Sequence, residues 1–125
     1  MSRRYMLFVY TRPVEGMEDE YNRWYTEQHL VDVLKLDGFG AAQRWVFDHP
    51  HPADGPEPEW KNVALYEVPE EDYERARASL IASGIERTEA LAAGRTPQVP
   101  VSPALDEHRV AYWFVENSER VTRQR

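Results

Sequence analysis

Four short segments of this chain carry large apolar side chains at neighbouring positions, so that both faces of each would be greasy if the segment were a strand. Phe8 stands beside Val9, Leu65 beside Tyr66 and Tyr112 beside Trp113. Strand side chains alternate between the two faces of a sheet, and apolar residues on both faces demand cover on both. Only two stretches have a helical period, enough to cover one face of a four-stranded sheet. The other face needs a second layer, and the simplest one is the same face of a second copy.

The segments follow in the order strand, helix, strand, strand, helix, strand. Tyr5-Met6-Leu7-Phe8-Val9-Tyr10 is aromatic and β-branched and stops at Arg12-Pro13, which makes it strand one. From Gly16 a helical period places Met17, Tyr21, Trp24 and Tyr25 on one face, with Glu18, Glu20, Asn22, Arg23, Thr26 and Glu27 largely on the other. Beyond His29, the run Leu30, Val31, Val33, Leu34 and Leu36 is too dense for one stripe, so the helix is expected to give way to a compact apolar turn before Asp37-Gly38. Residues 39–47 alternate as strand two, with Gln43 and Trp45 in one set and Arg44 in the other; either set can face the helices. A proline-rich loop leads to strand three at 60–68. Pro69 and the acids Glu70, Glu71 and Asp72 open a second helix, with Tyr73, Ala76, Leu80, Ile81 and Ile85 as its inward stripe and a separate helical piece over 87–93. Residues 96–103 contain three prolines and are expected to form an irregular, mobile lid before the last strand at 110–115. This order is the ferredoxin-like βαββαβ arrangement, an α+β fold with a four-stranded antiparallel sheet. The chain is thus expected to form one domain over 1–117 with a polar tail over 118–125, and to pair as a homodimer into an α+β barrel.

Composition removes several functions. A net charge of −7, with no clustered Lys or Arg to offset it, disfavours nucleic acid and anionic membrane surfaces as partners. The absence of cysteine excludes disulfides, thiolate zinc sites and thiol nucleophiles. The uncharged stretch near the start is too short for a signal-peptide core or a membrane span, and a cytoplasmic location is expected. Lys35 and Lys61 are the only lysines, so Schiff-base chemistry has few candidates. His49 and His51 have no specified third ligand, and no metal is expected there. No glycine-rich phosphate loop, nucleophile elbow or HExxH motif occurs, so no cofactor is called for.

The segment Tyr21-Asn22-Arg23-Trp24-Tyr25-Thr26-Glu27-Gln28-His29-Leu30-Val31-Asp32-Val33-Leu34, continuing to Gly38-Phe39, resembles the first-helix region of EthD-like proteins and their dimeric α+β barrel relatives. Those carry an aromatic pair, a histidine, a short apolar turn and a Gly-Phe leading into strand two. Val31 stands where relatives commonly have proline. The resemblance implies the fold and the dimer more strongly than any reaction, because several families with different chemistry share this architecture.

His29 is the leading candidate for chemistry. It continues the buried stripe four residues after Tyr25, and an imidazole titrating near neutrality suits acid or base work. Asp32, three residues on, can accept the proton of one ring nitrogen; the alternative is a helix-end histidine bonded to backbone. Tyr66 is either core filler or a donor to a ligand oxygen. Arg44, in an otherwise apolar strand, needs an anionic ligand or a carboxylate such as Glu67. Trp24, Tyr25, Phe8, Tyr10, Trp45, Tyr112 and Phe114 offer flat surface to an apolar ligand, or simply fill the core.

The expected function is a small cofactor-free enzyme of lyase, isomerase, cyclase or decarboxylase type. Its ligand would be an apolar, oxygen-bearing aromatic, polyketide or terpenoid metabolite. One alternative is a cofactor-independent monooxygenase acting on a deprotonated phenol or hydroquinone; another is a dimeric metabolite-binding protein without catalysis. In each enzyme reading, His29 lines a pocket between helices and sheet.

Overall fold

A computed structural model of the chain describes residues 2–124. Strands β1 (Tyr5–Thr11), β2 (Ala41–Val46), β3 (Asn62–Val68) and β4 (Val110–Val115) form one antiparallel sheet in the order β2-β3-β1-β4. The first helical arm runs through α1 (Glu18–Trp24), a π-helical turn (Tyr25–His29) and α2 (Leu30–Leu34). A 3-10 turn (Glu70–Asp72) leads into α3 (Tyr73–Ala92). This is the ferredoxin-like α+β arrangement with its helices on one face. Among the described residues no helix is long and apolar enough to cross a membrane.

The expected break at His29 is not a turn but a change of helical winding. Leu30 N–H donates to the Tyr25 carbonyl, five residues back. In an α-helix of about 3.6 residues per turn, positions four apart creep steadily around the axis. One wider turn winds that drift back and keeps the four-residue series Tyr21, Tyr25, His29 and Val33 on the sheet side. The dense run after His29 therefore belongs to a continuing helix, whose buried residues are Asp32 and Val33.

The second helix also differs from expectation. It is one helix of 20 residues, and Ile81 and Ile85 are 54% and 56% exposed. The inward series runs through Tyr73, Ala76, Leu80, Ser83, Gly84, Arg87 and Ala90, which keeps a helical period with polar and small residues in its middle.

Strand register settles the faces. Leu7 lies opposite both Tyr66 and Trp113, and these look towards the helices with Val9, Ala64 and Val68. Tyr21, Tyr25, Tyr66 and Val68 are almost completely buried, each apolar side chain contributing about 1.5–3 kcal/mol. Gly38 lets the turn after α2 pass directly against α3, because its φ of +95° and a distance of 2.6 Å from a Cβ position to the Ala76 nitrogen leave no room for a side chain. The opposite face, made by Met6, Phe8, Tyr10, Trp45, Leu65, Tyr112 and Phe114, has no helix over it. Trp45, Tyr112 and Phe114 are more than half exposed there.

Candidate functional site

His29 ends the π turn, a local geometry often found at functional positions. Its ring stacks on Trp24 at 4.6 Å between centroids and meets Tyr25 edge-on at 5.0 Å. Nδ1 is sealed from solvent with no hydrogen-bond partner among the described residues, which leaves Nε2 as the nitrogen a ligand can reach. Burial lowers the imidazole pKa from 6.5 to about 4; the Asp32 carboxylate opposes this, and the Arg109 and Arg87 guanidiniums add to it. The ring is neutral at physiological pH.

The carboxylate of Asp32 does not orient His29 by a hydrogen bond. It is buried at 5% exposure and is bonded by Gln28 Nε2 at 3.2 Å and Lys35 Nζ at 3.4 Å, partners from its own helical arm. Its influence on the imidazole is a through-space attraction only.

His29 opens onto a cavity of about 320 Å³. The floor is sheet: Leu7, Val9, Tyr66 and Ala111. One wall is His29 and Val33 with Leu36 behind them, and the other is Leu80, Ser83, Gly84 and Arg87 of α3. Val99 and Val101, from the irregular stretch after α3, roof it, with Arg109 and Val110 at the start of β4. The size falls at the lower end of the range for small-molecule sites. Gly84 and Ser83 matter by being small, since larger side chains at that point of α3 would fill the space.

The Tyr66 hydroxyl lies buried beside the Tyr25 phenol, close enough for the two to affect each other's protonation but without a well-formed hydrogen bond among the described residues. Burial pushes the phenol pKa up, and the nearby Tyr25 phenol pushes it further, so Tyr66 stays protonated and keeps an O–H to donate. Leaving such a group unpaired costs about 1–3 kcal/mol. Leucine and phenylalanine would avoid that cost at 29 and 66.

The remaining candidates fall elsewhere. Arg44 points to the helix side, where Nη1 donates to Thr26 Oγ1 at 2.8 Å and Nη2 to Asn22 Oδ1 at 2.8 Å, with the guanidinium over the Tyr25 and Tyr21 rings. Its expected partner Glu67 lies on the opposite sheet face and binds Arg4 at 2.5 Å, because Arg44 pairs with Ala64 and Glu67 with Ala41. Arg44 therefore ties β2 to α1 and lines no cavity wall. Trp24 and Tyr25 hold the His29 ring from behind without lining the cavity. Phe8, Tyr10, Trp45, Tyr112 and Phe114 occupy the open sheet face, away from His29, because strand alternation puts them opposite to Leu7 and Tyr66. His49 pairs with Asp48 in the exposed proline-rich loop, and no cluster of three or more metal-ligating side chains occurs among the described residues.

Two charged cavity residues went unread in the sequence: Arg87 and Arg109. The signal for Arg87 was its place in the 80, 83, 84, 87 series, where an apolar stripe turns polar as it does at His29. Arg109 carries no such signal, since it lies outside a regular element and reaches the cavity through the sheet edge.

No family model matches the chain, and no curated protein does. Among solved structures the chain is similar to a candidate monooxygenase from Shewanella loihica PV-4, at 14% identity and a TM-score of 0.45, over 97% of this chain and 99% of that one.

Proposed function

We propose that the chain is a cofactor-free enzyme that removes a proton from an apolar, oxygen-bearing ligand held in the cavity, with His29 as the base. The observation that carries this reading is an imidazole kept neutral on the wall of an apolar cavity of about 320 Å³, beside a permanently protonated phenol. A neutral imidazole can accept a proton from an acidic phenol or from a carbon next to a carbonyl. The anion so formed sits beside the new imidazolium, and that attraction offsets the burial that otherwise disfavours it. In this reading the Tyr66 hydroxyl, sealed beside Tyr25 in the free protein, turns to the ligand oxygen on which negative charge develops. Isomerisation, cyclisation, elimination or decarboxylation can follow from the same anion.

A second reading takes that anion to dioxygen. The walls Leu7, Val9, Val33, Leu80 and Val99 are apolar, which admits O₂ and excludes water from a reactive carbanion. A phenol and O₂ then give a quinone and water, the substrate itself supplying the electrons. In both readings the working unit is a homodimer, because the open face of Phe8, Trp45, Tyr112 and Phe114 is more apolar than a monomer ordinarily presents to water.

The test is hydrogen exchange at the carbon between ring and carbonyl of 2-tetralone in deuterated water, followed by NMR. Wild type should accelerate the exchange, and His29→Ala should lose about 10²–10⁴-fold of that acceleration while remaining folded. Tyr66→Phe should lower it less and raise the melting temperature. Oxygen uptake with a panel of phenols and hydroquinones separates the second reading from the first. Binding of the ketone without any enhanced exchange would leave a metabolite-binding protein in place of an enzyme.

A further inference from the structure

Two cationic side chains converge on a cavity whose other walls are almost entirely apolar. Arg87 comes from α3 and Arg109 from the residue before β4, so elements distant in sequence are folded to bring like charges to one place. Other arginines of the helices and strands are held in place: Arg44 by Asn22 and Thr26, Arg75 by Asp72, Arg77 by Glu74. Neither Arg87 nor Arg109 has a carboxylate within 4.0 Å among the described residues. The acid next to Arg87 in sequence, Glu86, is taken by Arg95 at 3.1 Å and by the Gln98 backbone N–H at 2.8 Å. Burial makes Arg87 harder to keep protonated, and the nearby Arg109 guanidinium adds to that, as expected for two guanidiniums facing one space.

Arg109 is exposed and Arg87 part-buried, so water softens this repulsion, and an anion held between the two would turn it into attraction. A guanidinium presents a planar fork of donors that matches a carboxylate, and the valine and leucine walls suit the hydrocarbon body to which a carboxylate is attached.

We propose that Arg87 and Arg109 form the anion-binding end of the cavity and that the ligand of this protein is a small apolar carboxylic acid, bound as its carboxylate. This rests on the reading of the cavity as a ligand site and narrows the substrate class within it. The arginines hold the carboxylate and thereby set which ligand atoms reach Nε2 of His29.

Calorimetric titration of the full chain with three probes of one size tests it: 2-naphthoate, the neutral 2-naphthamide and 2-naphthyl phosphate. Naphthoate should bind at least about tenfold more tightly than the amide, the usual worth of a charge-assisted pair. Arg87→Met and Arg109→Met should each abolish most of that preference while changing amide affinity less than about twofold, as expected of a purely electrostatic loss. Arg109 is exposed, so its variant removes the charge without disturbing the core. Equal affinity for naphthoate and amide would overturn the carboxylate assignment and leave the cavity as a neutral-ligand site. Tighter binding of the phosphate than of the carboxylate would also overturn it. Failure of every probe to bind would remove the ligand site itself, and the proposed function with it.

Discussion

At His29 two effects oppose each other. Burial strips water from the imidazolium and the Asp32 carboxylate favours it; burial dominates, and the folded-state pKa falls to about 4. Between pH 6.5 and 4 the unfolded chain binds a proton at this ring that the folded chain does not. Stability from this group is therefore intact above pH 6.5, is lost as pH falls, and loses no more below about 4. The drop from 6.5 to about 4 sets a ceiling of about 3 kcal/mol. In urea denaturation at pH 7.5 and 4.5, wild type should lose about 2–3 kcal/mol more than His29→Gln. Equal losses in the two proteins would show that the imidazole is not held neutral. The position of His29 was legible in the sequence because it extends the spacing of Tyr21 and Tyr25. Its sealed Nδ1 was not, because whether Asp32 bonds His29 or Gln28 and Lys35 depends on how the helix is wound.

Among the elements, the first helical arm departs most from a simple periodic reading. The π turn from Tyr25 to His29 keeps His29 and Val33 on the sheet side, so a run that looked like a helix end is a helix that has changed pitch. In α3 the opposite error arises: Ile81 and Ile85 look like core residues, yet face outward, while Ser83, Gly84 and Arg87 face the cavity. Binary patterning assumes that inside means apolar, and a ligand cavity breaks that assumption. The contact of the turn after α2 with α3 depends on Gly38. Gly38→Ala must place a Cβ against the Ala76 backbone at a φ of +95°, and should cost about 2–4 kcal/mol in thermal or chemical denaturation. A loss under about 0.5 kcal/mol, the scale of an ordinary surface change, would mean that the turn can move off α3 without cost.

For the whole molecule the open sheet face is decisive. Phe8 packs edge-on against Phe114 at 4.8 Å and Tyr10 lies near Tyr112 at 6.3 Å, so the face is an ordered aromatic surface rather than scattered exposed side chains. In the proposed homodimer a second copy would cover it symmetrically with the same face. Sedimentation equilibrium should find wild type dimeric at micromolar concentration. Phe114→Glu should be monomeric with unchanged helical circular dichroism, because Phe114 is 54% exposed in the single chain and supports no core. A monomeric wild type would contradict the pairing. With a net charge of −7, two copies also repel at long range, so added salt should tighten the dimer.

What the amino-acid sequence determined by itself was local: the order of strands and helices, the apolar character of both sheet faces, and the histidine at the end of an aromatic stripe. These follow from side-chain periodicity and turn chemistry, which act over a few residues. Tertiary structure alone decided which parity of each strand faces the helices. That choice sent Phe8, Tyr10, Trp45, Tyr112 and Phe114 away from His29 and brought Tyr66 towards it. It also decided that Arg44 is spent on Asn22 and Thr26, and that Arg87 and Arg109 share one cavity. The reason is that a pocket is the space left between elements. Its lining depends on the register and packing of segments far apart in the chain, where no single stretch of sequence carries the pattern.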